Sequence, residues 1–251
     1  MYAFTSVSSG PKSVTLPSGE RLPYSIDRRE VEHPRITLNP DGTLAVIVPP
    51  DTPGHTLVAR EEDWIAEEYH EQQAKLLAIR EQYEVLEEEF TIWGKSYSLI
   101  ERTGQYDLSI DAATLRVTSP ESKSTEQYLY NKLRQALSVA IKAIASDFCE
   151  QINVTYSKLS IRSQRTKWAS CSNGDTLNFN LRCAFLPIGH LRYLVAHEVS
   201  HLREPDHTEA FWELVDTLVP GYQTYRDELQ GFWYAVHHNR QWQRLLSQGP
   251  V

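Results

Sequence analysis

The alternation of apolar and polar residues along the chain divides it into β-rich and helical segments. Residues 12–50 alternate with a period of two around the turn signal NPDG at 39–42, which predicts a small antiparallel sheet. Residues 58–90 and 124–150 carry apolar side chains at helical intervals, and residues 90–117 return to β character between them. We therefore expect two long packing helices separated by a second β-rich region, with no internal repeat visible in the sequence.

A hairpin signal lies further along the chain, where residues 172–175 read SNGD. Because an Asn-Gly pair accepts the positive φ angles of a type I′ turn, Asn173 and Gly174 are predicted as the two turn residues. This register places Trp168 opposite Phe179 across the ladder. We expect the hairpin to lead directly into the next helix.

Residues 187–204 are predicted to form that helix, which begins at a proline and ends before Pro205. Its buried stripe consists of Leu191, Leu194, Val195 and Leu202. A second helix is expected to begin at once, because Asp206 and Glu209 form a capping-box pattern ahead of an apolar run. On this interpretation His207 lies in the first turn of the second helix.

The sequence HEVSHLREPDH at 197–207 holds three of the chain's nine histidines. His197 and His201 are four residues apart, so their rings project from one side of a helix and can share a zinc ion, with Glu198 beside them in the HExxH arrangement. His207 can supply the third ligand, which leaves one position of the metal open. Chance produces this three-histidine pattern in roughly 0.1% of comparable chains, so we favour a catalytic metal site over an incidental cluster.

The spacing also indicates a mechanism. Zinc held by the three histidines would acidify its water and polarise a scissile carbonyl. Glu198 would take the proton of that water as general base and pass it to the leaving amine. The catalytic prediction is therefore Glu198, and the metal ligands are His197, His201 and His207.

Other polar residues near this segment receive weaker predictions. Tyr222 and Tyr225 are candidate oxyanion donors, although packing is the favoured interpretation of each. His190 lies about 10 Å from the HExxH pair along the helix axis, too far to ligate the same ion. His237 and His238 are expected on the surface of a last helix, without a metal role.

Composition narrows the class of protein further. The chain has 251 residues, 41% of them hydrophobic and 23% charged, as in ordinary globular proteins. Its net charge of -8 and scattered basic residues argue against nucleic acid as a partner. No stretch approaches the roughly 18 apolar residues of a membrane span. No export or transit signal is apparent in the start MYAFTSVSSGPK. The chain has three cysteines, Cys149, Cys171 and Cys183. Their odd number and the lack of CxxC spacing favour a reducing, cytoplasmic setting.

Five motifs resemble the YgjP-like metallopeptidase family in order and spacing. They are KWASC at 167–171, LNFNLR at 177–182, HEVSHL at 197–202, DHTEAFW at 206–212 and PGYQTYRDEL at 220–229. The resemblance extends from about residue 20 to 230. The chain departs from the family pattern at Lys167, Ala169 and Asp206, where the family has arginine, glycine and asparagine.

The resemblance implies an α+β fold with a zincin-like core. In that core an antiparallel sheet lies over the HExxH helix, preceded by an N-terminal β region and long packing helices. We expect residues 1–152 to form the N-terminal region, 153–232 the catalytic core and 233–251 a C-terminal helical tail, within one integrated domain.

The leading functional prediction is a zinc-dependent peptidase that acts on a peptide or protein. The strand around 168–171 could pair with an extended peptide substrate, as an exposed sheet edge can. One alternative is a metal-dependent hydrolase of nucleotides or phosphate esters, for which Arg162, Arg165 and Lys167 could hold phosphate. Another is a noncatalytic metal-binding interaction module. The acidic balance and the cysteine content argue against a SprT-like protease that acts on DNA. No feature specifies an oligomeric state.

Overall fold

The computed structural model describes residues 12–247, which form two compact units, one up to Leu76 and one from Leu77. Most of the segment inspected for a targeting signal, residues 1–11, lies outside the described residues. The division at Leu76 is a property of the folded chain, and the three predicted regions bounded at 152 and 232 remain a prediction.

The first unit is a four-stranded sheet covered by helices. Its elements are β1 (Lys12–Thr15), β2 (Arg21–Arg28), β3 (Arg35–Leu38), β4 (Leu44–Val48), α1 (Gly54–Arg60) and the start of α2 (Glu62–Tyr83). The strand order is β1-β2-β4-β3, and β4 alternates buried and half-buried residues against a core that includes Ile65 of α2. The single helix predicted at 58–90 is therefore two helices, and α2 ends at Tyr83, where Glu84 adopts a positive φ.

In its described part, up to residue 247, the second unit contains two further sheets and five more helices. Its strands are β5 (Phe90–Ile92), β6 (Lys95–Thr103), β7 (Asp107–Ile110), β8 (Thr114–Ser119), β9 (Lys158–Arg162), β10 (Ala169–Ser172) and β11 (Thr176–Asn180). Its helices are α3 (Thr125–Gln151), α4 (Ile188–Ser200), α5 (Glu209–Leu218), α6 (Tyr222–His238) and α7 (Arg240–Ser247), with a 3₁₀ segment at Leu181–Phe185. The predicted β character of 90–117 and the predicted helix at 124–150 are confirmed.

All three sheets share one arrangement of three consecutive strands. In each, the third strand lies between the first two, parallel to the first and antiparallel to the second. The triplets are β2-β3-β4, β6-β7-β8 and β9-β10-β11. Two sheets were predicted to be antiparallel, the one at 12–50 and the one over the HExxH helix. Each prediction is wrong for one pair of strands, because β2 and β4 are parallel in the first sheet and β9 and β11 in the second. The second strand takes the sheet edge, so the hairpin that follows it returns the chain parallel to the first strand.

The hairpin between β10 and β11 differs by one residue from its predicted register. Ala169 is paired with Phe179, and Ser172 with Thr176, so the loop has three residues instead of two. Asp175 takes the positive φ, at 52°, and its N–H donates to the carbonyl of Ser172 at 3.0 Å. A type I turn followed by a left-handed residue is the usual form of such a loop. Aspartate tolerates that conformation and replaces glycine in it.

The start of α4 is fixed by a close contact with the β5–β6 turn. Pro187 is its N-cap, and Gly94 lies against the proline ring. A Cβ at Gly94 would lie 2.6 Å from Cγ and 3.1 Å from Cα of Pro187, and its φ is +76°. Only glycine fits both requirements.

We expect Gly94→Ala to lower the free energy of unfolding by at least about 2 kcal/mol, because it adds a steric clash to an unfavourable φ. Two control glycines separate the clash from the unfavourable φ. Gly221 has a φ of +72° but nothing within 4 Å of its Cβ position, and Gly174 has neither a positive φ nor a close neighbour. Gly221→Ala should cost about 1 kcal/mol and Gly174→Ala less than about 0.5 kcal/mol in urea titrations. Equal losses in the three variants would contradict the contact.

Candidate metal centre and active site

Helix α4 carries the first part of the predicted site through the middle of the second unit. One face is fully buried, and the helix packs against α3, α5, α6 and β10. It ends at Ser200, four residues earlier than predicted, with His201 as its C-cap. After His201 the backbone tightens into short-range turns, because the amides of Leu202 and Arg203 donate to carbonyls three residues earlier.

The next helix begins later than the capping-box pattern predicts. Thr208, not Asp206, is the N-cap of α5, and its side-chain oxygen accepts the N–H of Phe211 at 3.4 Å. The carbonyl of Asp206 instead accepts the N–H of Thr208 at 2.8 Å. His207 therefore lies in the loop immediately before α5 and not in its first turn.

The structure brings the three predicted ligands together. One side-chain nitrogen from each of His197, His201 and His207 lies within 4.8 Å of the other two, and the Nε2 atoms of His197 and His207 are 3.1 Å apart. Phe211, fully buried, packs against all three rings at centroid distances of 4.6 to 4.9 Å. Trp212 also stacks on His207. Converging imidazoles held at this separation are a suitable donor set for one divalent ion.

Hydrogen bonding and burial prepare these rings as ligands. The Nδ1 of His201 lies 3.2 Å from the carbonyl oxygen of Glu204, to which it can only donate, so Nε2 carries the free lone pair. Burial, and secondarily the neighbouring rings of His201 and His207, lowers the pKa of His197 to about 3. Burial also lowers the pKa of His201. Both rings are thus neutral near pH 7, as metal ligation requires.

Glu198 lies beside the histidines with a partly unsatisfied carboxylate. Its side chain is 5% exposed, and burial raises its pKa to about 7. The N–H of Cys171, on the edge strand β10, donates to the carboxylate, and the Lys167 charge opposes the effect of burial. The Oε2 atom is buried without a hydrogen-bond partner among the described residues. A buried carboxylate oxygen without a hydrogen-bond partner, next to three converging imidazoles, is suited to accept a proton.

A cleft opens beside the histidines. It has a volume of about 530 Å³ and lies between the β10–β11 hairpin and the loop that follows α4. It is lined by Cys171, Ser172, Asn173, Asp175, His201, Leu202 and Pro205. Burial raises the pKa of the Cys171 thiol to about 11, so the group is protonated near neutral pH.

The segment that leads into β10 is tied down by Asn180. This residue is fully buried, and its Nδ2 donates to the carbonyls of Gln164 at 2.7 Å and Lys167 at 2.9 Å. Its Oδ1 accepts the N–H of Arg182 at 3.1 Å. These bonds fix the segment immediately before the strand that holds Glu198.

We expect Asn180→Ala to lower the free energy of unfolding by roughly 2 to 4 kcal/mol, because it leaves buried carbonyl and amide groups without partners. Asn173→Ala, in the exposed hairpin loop, is the matched control and should change it by less than about 0.5 kcal/mol. Chemical denaturation followed by tryptophan fluorescence measures both. A neutral Asn180→Ala would show that water or a shifted backbone replaces the lost bonds.

Both candidate oxyanion tyrosines make packing contacts. Tyr222 stacks between Trp212 and Tyr193, with ring centroids 5.2 and 6.0 Å away. Tyr225 packs against His190 and Gly189. These contacts agree with the packing interpretation, and an oxyanion role stays a prediction.

His190 forms a buried cluster that the sequence did not indicate. Its Nε2 lies 2.8 Å from Oε2 of Glu228, which also accepts the hydroxyl of Tyr83 at 2.5 Å. Burial lowers the pKa of His190 against the opposing effect of Glu228.

His237 and His238 are half-buried on α6, and the Nδ1 atom of each lies within 3.0 Å of a carbonyl of that helix.

The site combines one histidine on α4, a second at its C-cap, a third from the following loop and a buried glutamate beside them. This arrangement is typical of metal-dependent hydrolases. Comparison with known families identifies the group. The family model described as "YgjP-like, metallopeptidase domain" matches residues 32–232, so the chain belongs to the YgjP-like family. This confirms the resemblance and the α+β, zincin-like fold class, and makes the chain a metal-dependent peptidase by family.

One solved structure was also found to be similar. The metallopeptidase zymogen abylysin from Pyrococcus abyssi is 19% identical, with a TM-score of 0.33, over 36% of this chain and 90% of that chain. No curated protein matches the chain. Within residues 12–247, no helix is long and apolar enough to cross a membrane.

Proposed function

We propose that the chain is a zinc-dependent peptidase in which His197, His201 and His207 hold the ion and Glu198 is the general base. The observation that carries the proposal is the convergence of three imidazole nitrogens beside a buried, half-satisfied carboxylate. Neutral imidazoles favour zinc among the common divalent ions. When bound, zinc would polarise the scissile carbonyl and increase the acidity of water.

The protein's own residues account for the proton transfers. One carboxylate oxygen of Glu198 is held by the N–H of Cys171, and Oε2 is free to accept a proton from the attacking water. The same carboxyl group then donates that proton to the leaving amine as the peptide bond breaks. Phe211 packs the three rings from one side and holds them in place during this cycle.

The surroundings of the site favour a peptide over a phosphate ester. Strand β10 is an edge of its sheet, so an extended peptide can pair with it next to Glu198. Among the described residues, no lysine or arginine lines the adjoining cleft, and Lys167, whose charge acts on Glu198, lies outside this lining. A phosphate group bound in the cleft would require a cation there. A noncatalytic metal-binding module would leave the buried carboxylate of Glu198 without a purpose, at an energetic cost.

We expect the zinc-loaded protein to cleave members of a diverse peptide library and to leave nucleoside triphosphates intact. Mass spectrometry of the peptides and a phosphate-release assay measure the two activities, and Glu198→Gln provides the blank for each. Nucleotide turnover that depends on Glu198, in the absence of peptide cleavage, would favour the phosphate-ester alternative.

We also propose a reducing, cytoplasmic setting for this activity. Cys149, Cys171 and Cys183 are all free thiols, and two of them are buried. Free buried cysteines are common where disulfides do not persist.

A further inference from the structure

Two segments of this acidic chain contain only basic charges. Residues 127–146 and 151–174 hold seven of the 25 lysines and arginines and none of the 33 aspartates and glutamates. The first segment forms most of α3, and the second contains β9 and β10. The structure places α3 beside β9, so the first segment meets the β9 part of the second segment. Charge is therefore segregated on this protein more strongly than its net value indicates.

A groove of about 530 Å³ lies where α3 and β9 meet. The α3 side is a polar stripe with helical spacing, so these residues share one face of the helix. The stripe consists of Asn131, Arg134, Gln135, Ser138 and Lys142. The β9 side is formed by residues 158–161, which include Lys158. No acidic residue lines the groove, and within residues 12–247 none of its three cations forms an ion pair with a carboxylate.

The groove has an unpaired strand along one wall. Strand β9 is the outer strand of the β10-β11-β9 sheet, so one side of its backbone has no partner strand among the described residues. Exposed strand edges bind extended peptides through main-chain hydrogen bonds. The opposite edge of this sheet, β10, contacts Glu198. The groove is thus two strand spacings, about 10 Å, from the strand at the candidate active site.

An apolar depression adjoins the basic groove along α3. It has a volume of about 820 Å³ and shares Gln135 and Val139 with the groove. Its other lining residues are Trp93, Leu108, Lys132, Ala136, Ala140 and Ile188. Val139 is 64% exposed and Ile188 53% exposed. Adjoining exposed apolar side chains are typical of a surface that a partner covers.

We propose that α3 and β9 form an exosite, a docking site separate from the metal centre, for an extended acidic peptide segment. The acidic side chains of the segment pair with Arg134, Lys142 and Lys158, and its backbone pairs with the free edge of β9. A large apolar side chain beside the acidic ones enters the depression next to Val139. The unpaired strand and the apolar depression favour a peptide over a nucleic acid. The basic groove also offers no aromatic residue for base stacking among residues 12–247.

Fluorescence anisotropy tests the exosite. The probe is a labelled hexapeptide in which acidic residues alternate with valine and one valine is replaced by leucine. The full chain carries Glu198→Gln so that the peptide stays intact, and the measurement is independent of peptidase activity. We expect saturable binding that weakens at least about tenfold in the triple variant Arg134→Glu, Lys142→Glu, Lys158→Glu. The matched control reverses three exposed cations outside the groove, Arg35, Arg102 and Lys123, and should bind within about twofold of the parent. Circular dichroism verifies that both variants fold.

Two further measurements separate the parts of the site. Replacing the leucine of the peptide by alanine should weaken its binding to the parent protein. The same replacement should have little further effect on binding to Val139→Ser, because each change removes the same contact between the leucine and Val139. Two methylated peptides, each with every second backbone nitrogen methylated, test the main-chain pairing with β9. The peptide whose methylated nitrogens face β9 should bind more weakly, and the other should bind like the parent peptide. Absence of binding, an equal loss in the control triple variant, or tighter binding of single-stranded DNA that the groove variant abolishes would each overturn the proposal.

Discussion

Glu198→Gln is expected to lower kcat for peptide hydrolysis by about 10²- to 10⁴-fold while zinc content stays at the wild-type level. Glutamine has the same shape and can still accept the N–H of Cys171, so the fold and the histidine cluster should be preserved. What it lacks is an oxygen basic enough to remove a proton from water. The loss should therefore appear in kcat, with KM changed little.

The matched control is Glu213→Gln, the same chemical change at an exposed position of α5. It should leave kcat within about twofold of wild type. Elemental analysis of each purified variant gives its zinc content, and steady-state kinetics on one cleaved peptide gives kcat. A Glu198→Gln variant with wild-type kcat would remove Glu198 from its proposed role.

His201→Ala is expected to weaken zinc affinity by more than about 100-fold. The two remaining imidazoles, His197 and His207, leave too few ligands for a stable site. The ion binds only the folded chain, so zinc at 1,000 times its Kd stabilises the wild type by about 4 kcal/mol. For a protein of this size that corresponds to a rise in Tm of roughly 10 °C. The variant should keep at most about a third of this rise, because the same zinc concentration is then no more than about 10 times its weakened Kd.

His33→Ala is the control for this experiment, because its side chain is exposed and remote in sequence from the cluster. Its zinc content after purification without added metal should equal that of wild type, and chelation should lower the Tm of both equally. Thermal unfolding with and without chelator measures the shift. Equal zinc in His201→Ala and wild type would contradict the three-histidine site.

The convergence of the three histidines agrees with the sequence prediction more closely than the backbone that holds them does. His197 and His201 follow directly from helical spacing, because a period of 3.6 residues places both rings on one face. His207 was placed correctly in the cluster, although its predicted helical conformation is wrong. Asp206 and Thr208 are both good caps, and only the tertiary position of α5 decides which of them is used.

Several important partners of the site could not be found from residue types. Glu198 is held by the N–H of Cys171, and His201 by the carbonyl of Glu204. Backbone groups are present at every position, so sequence patterns do not single out the ones that bind. The hairpin register failed for a related reason, because Asp175 and Gly174 compete for the left-handed position and the sheet selects between them.

Strand order was also beyond the reach of local patterns. Alternation of apolar and polar residues indicates that residues 35–38 and 44–48 are strands, but it does not specify their neighbours. In the structure, every second residue of β4 is buried, whereas no residue of β3 is buried. This difference agrees with a central position for β4 and an edge position for β3.

The shared three-strand arrangement has a consequence for how the chain folds. Each sheet is built from one short continuous stretch, 12–48, 90–119 or 158–180, so even the parallel pairs join residues close in sequence. Short separations reduce the entropy lost on loop closure and favour fast pairing. During synthesis each sheet can therefore assemble as soon as its own stretch emerges from the ribosome. All three precede His197, His201 and His207 in the chain, so the sheets can be in place before the last proposed ligand is made.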